Sequence, residues 1–270
     1  MSLSPGAFGA RRIVCLTEET TETLYLLGEE DRIVGISGFT VRPPQARRDK
    51  PKVSAFTSAK IDKILALRPD LVLGFSDLQA DIAAQLIRAG VAVFIFNQRS
   101  VAEILQTIYT VGALAGVPHK AEALIAQLQD GIETVRAAAQ LLSHRPRVFF
   151  EEWNEPNISA IRWVSELISI AGGEDCFAEL SQAPDAKSRI IADPLEIVRR
   201  APDIIIGSWC GRKFSVDQVR RRPGWQGVPA VQNDQLFEIK SPDILQPGPA
   251  ALTDGLQQLH AIFAAWAGRQ

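Results

Sequence analysis

Residues 61–77 read IDKILALRPDLVLGFSD, and residues 194–210 read PLEIVRRAPDIIIGSWC. Pro69 aligns with Pro202, Asp70 with Asp203 and Gly74 with Gly207, each pair 133 positions apart (202 − 69). Each copy predicts a short helix, a Pro-Asp turn, an apolar strand of about four residues and a polar or aromatic loop. The strands do not alternate between apolar and polar residues, so both of their faces are buried, as in a parallel sheet covered by helices. A second echo extends the repeat. Arg12-Ile-Val-Cys-Leu-Thr-Glu-Glu leads into a helix ending at Gly28, and Arg147-Val-Phe-Phe-Glu-Glu-Trp leads into one ending at Gly172-Gly173. Strand, acidic loop, amphipathic helix and glycine cap recur in that order, which predicts two α/β lobes.

Between the halves, residues 118–142 are rich in Ala, Leu, Gln and Glu, with apolar residues at Leu124, Leu128, Ile132 and Val135. This spacing predicts one long amphipathic helix with Pro118 in its first turn. The expected organisation is an N-terminal lobe over 11–117, a connecting helix over 118–143 and a C-terminal lobe over 146–268. Residues 1–10 and 181–189 are the segments expected to lack order.

Composition removes several classes of function. The 270 residues are 46% hydrophobic and carry a net charge of −2, so a core is affordable and a basic nucleic-acid-binding surface is not expected. No apolar run reaches the roughly 18 residues of a membrane span. Cys15, Cys176 and Cys210 form neither a disulfide framework nor a zinc motif, and His119, His144 and His260 give no metal triad. No metal site and no intrinsic cofactor are expected. The first ten residues show neither a basic region nor an apolar stretch of the export type, so the protein is expected in the cytoplasm or, if exported, in the periplasm or on the cell surface.

In an open parallel sheet, ligands bind beyond the carboxyl ends of the strands. That rule selects loops containing Glu18, Phe39, Phe56 and Phe75 in the first half, and Glu152, Trp153, Trp209 and Asp243 in the second. Arg162 and Trp163 precede a helix nearby. Only 7% of the chain is aromatic, yet these loops collect six aromatic residues, which suits a large, flat, partly apolar ligand. Catalytic motifs are missing: there is no GxSxG elbow, phosphate loop, GxGxxG or HExxH. The adjacent Glu151 and Glu152 would point to opposite faces of a strand, and so lack acid/base spacing.

The order and spacing of several segments resemble one family. Gly28-Glu-Glu-Asp-Arg-Ile-Val-Gly35, Pro43-Pro44 and Lys63-Ile-Leu-Ala-Leu-Arg-Pro-Asp-Leu-Val72 resemble the cobalamin and ferric-siderophore class of ABC-transporter substrate-binding proteins. Trp163-Val-Ser-Glu-Leu-Ile-Ser-Ile-Ala-Gly-Gly-Glu-Asp-Cys-Phe177 is similar to that family's glycine-ended helix. Glu152-Trp-Asn-Glu-Pro156, Arg222-Pro-Gly-Trp225 and Pro247-Gly-Pro249 look like its cobalamin-binding branch. The resemblance runs from about residue 11 to 266. It implies two Rossmann-like lobes with parallel sheets joined by one backbone helix, a monomer, and a corrinoid held between the lobes by aromatics, Phe39 and Phe56 among them. It also implies an ABC permease and ATPase as partners, met by one acidic residue per lobe. Asp62 matches the first of these; the repeat offset puts the second at Leu195, with Glu196 the neighbouring carboxylate.

Two alternatives stay open at this stage. A ferric-siderophore or haem carrier would use cleft arginines, Arg162 and Arg212 being available, or an axial Tyr or His. A tetrapyrrole-processing or chelatase-like enzyme would rest on Glu18, Glu152 or Cys210.

Overall fold

Each unit is built on a parallel sheet whose central strands carry the two Pro-Asp repeats. The structure, a computed structural model, describes residues 9–269. The first unit contains β1 (Ile13–Cys15), α1 (Glu18–Leu26), β2 (Ile33–Ser37), α2 (Pro44–Asp49), β3 (Lys52–Ser54), α3 (Ile61–Ala66), β4 (Leu71–Phe75), α4 (Ala80–Arg88), β5 (Val93–Phe96) and most of α5 (Val101–Leu114). Its strands lie in the order β3-β2-β1-β4-β5, and every pairing is parallel. Helix α6 (Pro118–Ala139) follows. By its own packing, the chain through Leu128 belongs to the first unit, apart from Arg99–Val101, and the chain from Gln129 onwards to the second. The helix ends at Ala139, three residues before the expected Leu142.

The second unit contains β6 (Arg147–Glu151), a two-stranded hairpin of β7 (Trp153–Asn154) and β8 (Asn157–Ile158), α7 (Arg162–Ile170), β9 (Glu174–Asp175), α8 (Leu195–Arg200), β10 (Ile204–Gly207), α9 (Val216–Arg220), α10 (Pro229–Gln232), β11 (Leu236–Glu238), α11 (Ser241–Ile244) and α12 (Leu256–Ala267). Its main sheet has the order β11-β10-β6-β9, again all parallel. Matched by the repeat, β1, β2, β4 and β5 correspond to β6, β9, β10 and β11, and the two sheets share one strand order. The second lacks a counterpart of β3.

The unbroken apolar strands are explained by burial on both faces. Ile13 and Cys15 of β1 join Leu71, Leu73 and Phe75 of β4 in one core, while Val14, Leu16 and Val72 join Val53, Ile64 and Leu86 in another. In the second unit Phe149, Ile205 and Leu236 meet Phe177, Phe214 and Trp225.

The repeated residues do the same work in both units. Asp70 accepts backbone N–H bonds from Arg11 and Arg12 at 2.8 and 2.9 Å, and Asp203 accepts one from Arg147 at 2.8 Å. Each carboxylate thereby fixes the start of the neighbouring strand. Gly28 and Gly172, at φ of 67° and 99°, close α1 and α7 with the same paired bonds: Glu29 N–H to Leu24 O with Gly28 N–H to Tyr25 O, and Gly173 N–H to Ile168 O with Gly172 N–H to Ser169 O.

One expectation is overturned. Residues 181–189 are not disordered; they form tight helical turns at Leu180–Gln182 and Lys187–Arg189, and Arg189 is buried, its charge offset by an ion pair described below. Of the other segment expected to lack order, residues 1–8 lie outside the described residues.

Candidate functional site

In the first unit the loops beyond the strand ends carry an exposed apolar group. Phe39, Val41, Phe56 and Leu78 are 62%, 45%, 37% and 56% exposed, following β2, β3 and β4. These side chains stand out because the backbone beneath them is tied down. Gly38 N–H bonds to Ser54 O at 2.7 Å, Phe39 N–H to Ser37 Oγ at 3.2 Å, and Arg47 donates to the carbonyls of Gly38 and Thr40 at 3.0 and 3.2 Å. Phe75, expected among the loop aromatics, belongs to the core instead, since it is the last residue of β4.

Glu18 begins α1 and is buried with Glu19 and Glu22. It accepts Arg42 N–H at 3.0 Å, and Glu22 pairs with the Arg42 guanidinium at 2.9 Å. The two acids thus clamp the loop that carries Phe39 and Val41. Burial pushes the Glu18 carboxyl up to about 8 and the Glu19 carboxyl up to about 7, with the neighbouring acids adding to the effect.

In the second unit the two glutamates at the end of β6 part company. Glu151 is fully buried: Arg222 donates to it at 2.6 and 3.1 Å, Asn157 at 2.6 Å and the Trp209 indole at 3.1 Å. Burial pushes its carboxyl up, against the pull of Arg222. Glu152 forms a two-pronged pair with buried Arg189 at 2.6 and 3.1 Å. Glu152, expected to face ligand, is thus held by a buried arginine while its own side chain stays partly exposed.

Two aromatic expectations change as well. Trp209 is 2% exposed, stacked edge-on to Phe214 with ring centres 5.0 Å apart. Trp163 is buried, its indole donating to Ile244 O at 2.9 Å. Both sit in loops or at a helix start by sequence, yet their indole N–H groups find buried acceptors, so they pack as core. Trp153 stays half-buried on the β7–β8 hairpin, its indole donating to Glu155 O at 3.0 Å. Asp243 is half-buried, and Gln258 donates to it at 3.3 Å. Arg162 is paired with Glu166 at 2.9 Å.

Beside the hairpin, a cavity of about 450 Å³ is lined by Glu155, Ser215, Asp217, Gln218, Arg221, Arg222 and Pro223. Cys210 is exposed next to Gly211, while burial pushes the thiols of Cys15 and Cys176 up to about 12. Among the described residues no three His, Cys, Asp or Glu side chains gather as a metal cage. Of the residues expected to dock, Asp62 is exposed near the start of α3, whereas Glu196 is half-buried and bonded by Arg199 and Arg200 at 2.7 and 3.0 Å.

Residues 13–242 match the family described as Periplasmic binding protein. The chain belongs to that family. This binding protein is 26% identical over 263 residues to the vitamin B12-binding protein of Vibrio cholerae, covering 96% of this chain and 91% of the relative. It is 24% identical over 258 residues to an uncharacterised ABC transporter substrate-binding lipoprotein of Bacillus subtilis, covering 92% and 78%. The periplasmic heme-binding protein RhuT of Roseiflexus sp. RS-1, in its apo form, superimposes with a TM-score of 0.83 at 25% identity, covering 96% of this chain and all (100%) of the other. The binding protein thus lies within the cobalamin and siderophore class that its sequence resembles.

Val41, Leu78, Gln79, Arg42 and Arg189 were not singled out by sequence. Val41 and Leu78 carried no aromatic signal, and an arginine or glutamine next to a helix reads as an ordinary surface residue until its burial is known.

Proposed function

We propose that the protein captures cobalamin or a related corrinoid and passes it to an ABC importer. The observation that carries this reading is the exposed Phe39, Val41, Phe56 and Leu78 at the carboxyl edge of the first unit's sheet. These side chains offer apolar and aromatic surface to a flat ligand, and burying them against it would be the main source of affinity. The charge pattern favours a ligand bound by surface over an anionic chelate: Arg162, Arg189 and Arg222 are each engaged with a glutamate. Arg212 lies over the Trp209 ring at 5.6 Å. For haem, an axial Tyr or His would be wanted, and Tyr25 and Tyr109 lie within α1 and α5. The names of the B12-binding and ABC-transporter relatives support the same reading.

The protein acts in this reading by binding rather than turnover, outside the cytoplasm, as a monomer that meets a permease–ATPase complex. Asp62 is the docking carboxylate of the first unit. Glu196, bonded to its own arginines, would have to exchange them for the permease.

Titration with cyanocobalamin and cobinamide, followed by visible absorbance and calorimetry, tests the ligand, with haemin and a ferric hydroxamate siderophore as comparators. Saturable one-to-one corrinoid binding below about 10 µM, some −7 kcal/mol, is the expected result. No corrinoid binding at tens of micromolar, with tight binding of either comparator, would replace this assignment.

A further inference from the structure

Gln79 is fully buried, which is unusual for a glutamine and costs free energy unless its amide is satisfied. It sits between β4 and α4, and its amide reaches three strand ends. Its Oε1 accepts the N–H of Phe75 at 3.0 Å, while Nε2 donates to Phe56 O at 2.9 Å and to Leu16 O at 3.4 Å. Leu16 follows β1, Phe56 lies in the loop after β3, and Phe75 ends β4. One side chain therefore fastens the loop carrying an exposed aromatic to two central strands. Gly74 makes room for it: a Cβ there would fall 2.6 Å from Oε1 of Gln79.

We propose that Gln79 is a positioning residue of the ligand site, fixing the Ala55–Ser58 loop so that the Phe56 ring is presented in a set orientation before ligand arrives. The inference rests on the reading of the first unit's loops as a ligand surface. An apolar residue could fill the same volume, but it would release the Phe56 carbonyl and remove the acceptor that Gln79 gives the Phe75 N–H. Pre-set orientation matters because ordering a loop on binding subtracts from affinity.

The test uses the full chain and two variants. In Gln79→Glu, the ionised carboxylate still accepts from Phe75 but has no proton for Phe56 O; once protonated, it regains one donor. Gln79→Met keeps the volume, makes none of the bonds, and serves if the charged variant does not fold. Cyanocobalamin affinity is measured at pH 8 and pH 5 and divided by the wild-type value at the same pH, so that other titrations cancel. The expected result is at least a tenfold loss for Gln79→Glu at pH 8 with recovery at pH 5, and a loss at both pH values for Gln79→Met. In parallel, hydrogen exchange follows the Ala55 amide, bonded to Ser58 O at 2.7 Å. It should accelerate in the variants while Val72 and Leu73 of β4 stay protected. Unchanged affinity ratios and unchanged Ala55 exchange overturn the proposal, as does acceleration spread evenly over the sheet, which marks a purely structural role. If the wild type binds no corrinoid, the proposed function fails on its own, and the exchange pattern alone decides whether Gln79 positions the loop.

Discussion

Glu18 and Glu19 keep protons that they would lose in an unfolded chain. Their carboxyls move from an ordinary 4.5 to about 8 and about 7, chiefly through burial. Between those limits the folded state binds more protons than the unfolded state, so stability falls as pH rises from about 4.5 towards 8. Urea unfolding at pH 5, 6.5 and 8 should show this decline. Glu18→Gln, which still accepts the Arg42 N–H, should flatten it by an amount on the order of a few kcal/mol; an unaltered slope would refute the assignment. Glu151 gives the opposite kind of prediction. Arg222→Met strands a buried carboxylate whose strongest partner is gone, and should cost about 3–5 kcal/mol in the same assay. The double variant with Glu151→Gln should regain part of that loss, because the stranded charge is then absent. Neither effect was legible in the sequence: the Glu151-Glu152 pair was visible, but the arginine that each meets lies 71 and 37 residues away.

The two lobes repeat a scaffold and vary its tips. Asp70 with Asp203, and Gly74 with Gly207, were readable as pairs because the jobs they do are backbone jobs, fixed by spacing. Gly207 shows how tightly the element is built. A Cβ at that position would lie 1.9 Å from Cδ2 and 2.2 Å from Cε2 of Phe214, whose ring crosses directly over β10. Gly207→Ala should therefore cost about 3 kcal/mol, near the upper end for overpacking, and should shift the near-ultraviolet circular dichroism of the neighbouring Trp209. A loss under 0.5 kcal/mol would mean that the ring moves freely aside. What sequence conveyed poorly was depth. An aromatic after a strand can be the last piece of core or the first piece of site, and period alone does not distinguish them. Trp209 and Phe39 each follow a strand; the indole N–H of Trp209 is received by buried Glu151, whereas the Phe39 side chain has no polar atom to anchor and is left exposed.

At the scale of the whole chain, each unit carries its own sheet and core, and the boundary between the units falls within α6, after Leu128. No helix among the described residues is long and apolar enough to cross a membrane. A ligand that binds only the folded protein must stabilise it by mass action. Cyanocobalamin at a hundredfold excess over its Kd should thus raise the unfolding free energy by about 2.7 kcal/mol, measured by urea titration with and without the vitamin. Equal midpoints would argue against specific binding. The tryptophans add a practical consequence. All five, Trp153, Trp163, Trp209, Trp225 and Trp266, fall in the second unit. Tryptophan emission therefore reports on one half of the molecule only. The first unit holds Tyr25 and Tyr109 but no tryptophan, so under excitation selective for tryptophan it is silent, and Leu26→Trp on the solvent side of α1, compared with the parent protein, would report on that half.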